Sequence, residues 1–182
     1  MNTKNIIFTA LFAALTCVAT MIIKLPTPTM GYIHPGDAIV LLSGLLLGPW
    51  YGSFAAGLGS MLADLFSGYL SYAPATFMIK FFTAFIACVL FKSLKKVLGN
   101  VAPVIIAGTV GEAFMVMGYF LFEIFMLAVS TGGKFSTASL TAGITASASG
   151  IPFNIVQGIF GVIIATILYP ILVKIFHSME EK

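Results

Sequence analysis

Arginine is absent from this sequence, and all nine of its basic residues are lysines. No basic patch and no interleaving of lysines with aromatics supplies an electrostatic footprint for nucleic acid, so no nucleic-acid partner is expected. Charge of either sign is scarce, at 8% of residues against 59% hydrophobic, which leaves too little polar material to cover a soluble domain. Cysteine is nearly missing as well: Cys17 and Cys88 both fall inside apolar runs, as small buried hydrophobes do, and suggest neither a disulfide framework nor a metal site. The phosphate-binding loop Gly-x-x-x-x-Gly-Lys-Ser/Thr is not found, and Gly132-Gly133-Lys134-Phe135 lacks its shape. Neither a His-Glu-x-x-His pair nor a Gly-x-Ser-x-Gly elbow occurs. These absences argue against an enzyme with a cofactor or metal, and they require that any ATP hydrolysis coupled to this chain come from another subunit. Two broken helices in an inverted repeat, common in secondary transporters, are not evident either.

What remains is apolar. The mean hydropathy is +1.08, and the reading is an all-α integral membrane protein forming one domain over residues 1–182 in the lipid bilayer. Apolar runs predict helices at about 5–23, 37–48, 51–67, 74–92, 101–128 and 151–176, where about 20 residues cross a bilayer. The first run follows Lys4 as a signal peptide would, but it is long enough to span and no small-x-small cleavage site interrupts it, so a retained helix is expected. Gly48-Pro49 splits the second and third segments, which are either one kinked helix or a hairpin of two. Lysine placement favours the hairpin. With six crossings, Lys4, the Lys92/Lys95/Lys96 cluster, Lys174 and Lys182 share one side, leaving Lys24 and Lys134 opposite; the positive-inside rule then puts both termini in the cytoplasm. The two long outer connections are a Pro- and Gly-rich loop over 24–36 and a Ser/Thr/Gly/Ala-rich stretch over 130–150, expected to be partly helical at the interface.

Helical spacing points several polar side chains inward. Small residues at Gly44, Gly48, Gly52, Ala56 and Ser60 lead to Asp64 on one face. Thr76, Lys80, Thr83, Ala84 and Ala87 form a second stripe, Glu112, Met115, Val116, Tyr119 and Glu123 a third, and Asn154, Gln157, Gly158 and Gly161 a fourth. An ionisable group in hydrocarbon costs at least about 2.5 kcal/mol, so such groups are buried, paired or functional. Asp64 and Lys80, at similar depth, are expected to form an ion pair, structural or ligand-binding. Glu112, at mid-depth, is expected to be structural, while Tyr119, Glu123, Asn154 and Gln157 share the outer half as candidate ligand contacts, with Tyr32 and His34 on the loop above them. Tyr32, Tyr69, Tyr72 and Trp50 also suit interfacial anchoring. Ala10 and Ala14, one turn apart, allow a close helix approach, within the bundle or against a partner subunit.

Ala10 and Ala14 in the first helix, the outer loop ending in Gly36-Asp37-Ala38, the turn Leu47-Gly48-Pro49-Trp50-Tyr51-Gly52, and Ala63-Asp64-Leu65 followed by Gly68-Tyr69 and Tyr72-Ala73-Pro74-Ala75-Thr76 together resemble the substrate-binding S component of energy-coupling factor (ECF) transporters. The resemblance covers essentially the whole chain and is densest over 31–80. It implies a compact six-helix bundle in a bacterial plasma membrane that captures a vitamin or vitamin precursor from outside and works with a coupling membrane subunit and two cytoplasmic ATPases. It further implies that Ala10 and Ala14 face the coupling subunit and that the first outer loop gates a pocket lined by the last three spanning helices. The motif run looks most like the hydroxymethylpyrimidine or pyridoxine type. Lys80 is the one inward cation against Asp64, Glu112 and Glu123, so a small neutral or weakly basic heteroaromatic suits the site better than a polyanion. The rival readings are an intramembrane enzyme using Glu112 or Glu123 on a lipid, and a non-binding assembly scaffold.

Overall fold

Gly48 followed by Pro49 decides the local path of the chain. Gly48 takes φ +89°, a left-handed value that a side chain disfavours, and Pro49 then occupies the first turn of the next helix, where its missing N–H costs nothing. The computed structural model describes residues 3–29, 31–130 and 136–180. Among these it has seven helices and one short ribbon: α1 (Thr3–Ile22), β1 (Leu25–Pro26), β2 (Tyr32–Ile33), α2 (Asp37–Leu47), α3 (Pro49–Phe66), α4 (Ala73–Leu98), α5 (Ala102–Ser130), α6 (Thr137–Ala148) and α7 (Ile151–Glu180). Helices α2 and α3 are separate and fold back on each other, since the Ser43 hydroxyl donates to the Gly52 carbonyl at 2.9 Å. A Cβ on Gly52 would lie 2.1 Å from the Ser43 carbonyl oxygen, so the hairpin closes only with glycine there.

Helices α1, α4, α5 and α7 are long and apolar enough to cross a membrane by length and composition. Helix α2 has 11 residues, about 16 Å at 1.5 Å per residue, roughly half of a hydrocarbon core about 30 Å thick. It packs against α1, α3, α4 and α7, and Val40, Leu41 and Leu42 are fully buried. Because α2 is so short, the loop that precedes it must run down into the bundle to meet it, and this brings the loop over the site. Away from the loop, the core is an apolar cluster of Phe12, Leu41, Leu42, Leu45, Phe91, Val104 and Tyr169. The outer faces carry exposed Ile7, Ile22, Phe82, Leu121, Phe160 and Ile167, a belt suited to lipid.

Helices α4 and α7 run past their expected ends, α7 to Glu180, and the helix expected within the polar stretch after α5 is present. Helix α4 continues past 92 to Leu98, so Lys92, Lys95 and Lys96 ride on its final turns; lysine is a good helix former, cations suit a helix C-terminus, and Gly99 at φ +75° ends the run. The polar stretch after α5 contains a full helix, α6, started by a capping box in which Ser136 and Ser139 satisfy each other's backbone N–H groups. Lys134 and Lys182, two of the lysines weighed for six crossings, lie outside the described residues, as do Met30 and the rest of 131–135.

Candidate functional site

The loop between α1 and α2 is tied down by side chains from distant helices. Leu25 pairs with Ile33 and Pro26 with Tyr32 in the β1–β2 ribbon, and the Thr27 N–H donates to the Gly31 carbonyl at 2.9 Å to close its tip. From this ribbon three latches reach down. Thr29 donates to Glu123 Oε1 on α5 at 2.9 Å, Tyr32 donates to Asp64 Oδ1 on α3 at 2.7 Å, and the His34 backbone N–H donates to Gln157 Oε1 on α7 at 2.9 Å. The Tyr72 hydroxyl, at the entry to α4, donates to the Thr29 carbonyl at 2.8 Å. Four helix ends therefore hold one loop.

Beneath it lies a cavity of about 30 Å³, lined by Thr27, Gly31, Tyr32, His34, Asp64, Tyr69, Tyr72, Thr76, Tyr119, Glu123, Asn154 and Gln157. With the loop latched that leaves room for little more than water, so the loop must part to admit a small molecule. Its walls are aromatic: Tyr32 and Tyr69 have ring centroids 4.6 Å apart, and Tyr72 meets Phe122 edge-on at 5.2 Å. Its polar groups are two carboxyls, two amides, one imidazole and the hydroxyls of four tyrosines and two threonines. Glu123 keeps its second oxygen, Oε2, buried and without a hydrogen bond, and the buried Asn154 side chain stands at the first turn of α7 with the pocket in front of it. Burial pushes the Tyr32 and Tyr72 phenols well above their ordinary range, with Asp64 reinforcing the first and Glu123 the second, so both remain protonated donors. Burial likewise lowers His34 from 6.5 to about 3; Asp37 opposes the shift and Lys80 adds to it. The ring is thus neutral, and its Nδ1 accepts the Gly36 N–H at 3.1 Å.

Lys80 departs from expectation. It is fully buried and forms its ion pair with Asp37, not with Asp64. Asp37 sits in the first turn of α2, wedged between α4 and α7, and its other oxygen accepts the Gln157 amide at 2.7 Å. Asp64, at the end of α3, is taken by Tyr32. Lys80 also lies over the Tyr119 ring, 5.3 Å from its centroid, and is not among the residues lining the pocket. It stands one layer below, holding Asp37, which holds Gln157, which holds the loop.

Of the expected site residues, Tyr32, His34, Asp64, Tyr119, Glu123, Asn154 and Gln157 converge on the pocket. Tyr69 and Tyr72, read as interfacial anchors, also line it, and Thr27, Gly31 and Thr76 join them. The tyrosine spacing just before Ala73-Pro74 was the available signal for the first two, and the inward stripe through Lys80 for Thr76; nothing local marks Thr27. Ala10 and Ala14 are exposed on the outside of α1, while Phe12, Ala13, Thr16 and Cys17 form its inward face, so the close approach within the bundle uses Ala13 against Gly59 instead.

Three comparisons with known proteins bear on this arrangement. A curated relative from Pyrococcus woesei, described as an uncharacterized protein in gap 3'region, is 36% identical over 103 residues; the match covers 56% of this chain and 66% of that relative. A solved structure, described as the structure and mechanism of the S component of a bacterial ECF transporter, matches with a TM-score of 0.67 at 22% identity, over 96% of this chain and 98% of that one, which is a likeness of fold. The family model for the ECF-type riboflavin transporter S component matches residues 1–174. A helical bundle with a latched loop over an aromatic pocket and a match along nearly its whole length lead to one assignment: this chain belongs to the S-component family of ECF-type riboflavin transporters, a substrate-binding transport subunit for vitamin uptake and not an enzyme.

Proposed function

We propose that this chain captures an uncharged vitamin in the pocket beneath the α1–α2 loop, with riboflavin as its first candidate. The observation that carries this reading is the pocket's lining. Asp64 and Glu123 bring two carboxyl groups to it, Glu123 with a free acceptor oxygen, while Lys80 is consumed by Asp37 below. Tyr69, Tyr72 and Tyr119 offer faces for a flat ring, Asn154 and Gln157 offer amides, and Glu123 accepts from a ring N–H or a hydroxyl. A phosphate would enter beside carboxylates with no lysine among the lining residues to meet it, Lys24 near Tyr32 being engaged with Ser67, at a cost of several kcal/mol. A second reading, a smaller hydroxymethylpyrimidine or pyridoxine, is favoured by the modest size of the pocket with the loop closed.

In this reading the bundle crosses the plasma membrane six times, through α1, α2, α3, α4, α5 and α7, with both termini cytoplasmic and α6 on the outer side. The lysines at the end of α4 support that orientation, since they sit on the same side as Lys4. Helix α1 offers Ala10 and Ala14 outward to a coupling membrane subunit, which two ATPases drive; the exposure of both alanines supports docking there.

Titration calorimetry of the purified chain against riboflavin, flavin mononucleotide, pyridoxine and hydroxymethylpyrimidine tests the reading. One uncharged vitamin should bind tightly without ATP, at least about 100-fold better than a phosphorylated form, since each 1.4 kcal/mol is tenfold. Absence of binding to any of them, or preference for the phosphate, overturns it. In the assembled transporter, Ala10→Trp with Ala14→Trp should abolish uptake and leave that titration unchanged; retained uptake would remove the docking face.

A further inference from the structure

A second cavity lies in the seam between α5 and α7, displaced along α5 toward its N-terminal end from the residues that line the vitamin pocket. It is lined by Thr109, Glu112, Ala113 and Val116 of α5 and by Ile155, Gly158, Ile159, Val162 and Ile163 of α7, with a volume of about 310 Å³. Its rim faces outward: Ile155, Ile159 and Ile163 are 45%, 54% and 49% exposed. At its floor Glu112 is 4% exposed beside Asp37, and neither of its carboxyl oxygens accepts a hydrogen bond from the protein. Glu112 lies ten residues into α5, about 15 Å along the axis, hence near the middle of a bilayer. Gly158 makes the room, since a Cβ there would come within 2.9 Å of the Glu112 Cβ. A buried acceptor left without a donor is costly, and in hydrocarbon no water is present to supply one.

We propose that this seam is a binding site, entered from the bilayer, for a neutral amphiphile whose alkyl chain fills the Ile/Val trough and whose hydroxyl bonds Glu112. The neighbouring charges favour a neutral occupant. Asp37 and Lys80, the charged neighbours of Glu112, already neutralise each other, so neither an anion nor a cation finds a counter-charge in the seam. A hydroxyl both donates and accepts, and so meets a carboxyl in either protonation state. This site is separate from the vitamin pocket, and vitamin binding stands or falls independently of it.

Dicyclohexylcarbodiimide, an apolar reagent that reaches carboxyl groups from hydrocarbon, tests the proposal on the full chain in lipid vesicles. The carboxyl proton passes to one carbodiimide nitrogen as the carboxyl oxygen bonds the central carbon, and an acyl shift from oxygen to nitrogen then leaves a stable N-acylurea holding every atom of the reagent. Peptide mapping by mass spectrometry should find this adduct on Glu112, formed at least about threefold more slowly with 1-dodecanol present and at an unchanged rate with dodecane. Ile159→Trp, which fills the seam from its exposed rim, should suppress labelling while vitamin binding persists. An unlabelled Glu112 means that the seam is closed to the bilayer and overturns the proposal. Labelling that dodecanol does not slow, or that dodecane slows equally, overturns it as well.

Discussion

Lys80 owes its place at the centre of the bundle to Asp37. Both are fully buried, and removal of one partner strands the other charge, a loss typically of about 3–5 kcal/mol, whereas replacing both by apolar groups of similar shape is often close to neutral. Lys80→Met alone should therefore lower the thermal midpoint of the detergent-purified protein sharply, and Lys80→Met with Asp37→Leu should recover much of the loss; equal damage in single and double variants would show that the pair adds nothing as a pair. Asp37 and Lys80 were both visible in the sequence as ionisable residues in apolar surroundings, but their pairing was not. Asp64 was nearer to Lys80 in sequence and at similar helical depth, and only the entry of the short α2 between α4 and α7 brings Asp37 to the lysine instead. His34 gives a second test at this scale. Its folded pKa, about 3, lies below the ordinary 6.5, so the closed loop excludes the proton that an open, solvated loop accepts. Closure is then fully supported above about pH 6.5 and weakens progressively as pH falls toward 3. The His34 contribution should accelerate vitamin release below about pH 6.5, and His34→Gln should remove that part of the profile; an identical pH profile in the variant would sink the assignment.

Helix α2 and its hairpin to α3 organise the remainder. Gly48-Pro49 made the break legible because a left-handed glycine and a first-turn proline are local signals, and the small residues that follow spelled out close packing. Gly52→Ala should destabilise by at least about 1–3 kcal/mol, because the new Cβ would meet the Ser43 backbone and backbone cannot give as a side chain can. Gly68→Ala, at φ +85° with nothing within 4 Å, should cost only about 1 kcal/mol in the same thermal assay. Similar losses at both positions would mean that the hairpin is looser than its contacts imply. Other elements were less legible. Helix α6 has a serine capping box but a polar, small-residue composition that reads equally as loop, and the extension of α4 to Leu98 follows from lysines that a hydropathy pattern counts as an end. The β1–β2 ribbon escaped entirely, since two-residue strands carry no periodicity and are held by Asp64, Glu123 and Gln157, far along the chain.

For the molecule as a whole, the latched loop couples the ends of α3, α4, α5 and α7 on its side of the bundle, so the pocket beneath it is closed when all four are engaged. Composition and lysine placement announced a membrane bundle, and the inward stripes of α5 and α7 announced where its pocket lies. The latches were hidden because each joins residues about 30 to 120 positions apart, a separation at which spacing rules carry no information. The central claim is that the vitamin is held beneath this loop and leaves when the latches part. Its most direct test is the dissociation rate of bound vitamin, followed by stopped-flow fluorescence, in the wild type and in Thr29→Val and Tyr32→Phe. Each variant removes one hydrogen bond to a carboxyl group, worth about 1.5–3 kcal/mol when the acceptor is charged. The account predicts release at least about tenfold faster in each and faster still in the double variant. Release at the wild-type rate in the double variant, with affinity unchanged, would contradict it.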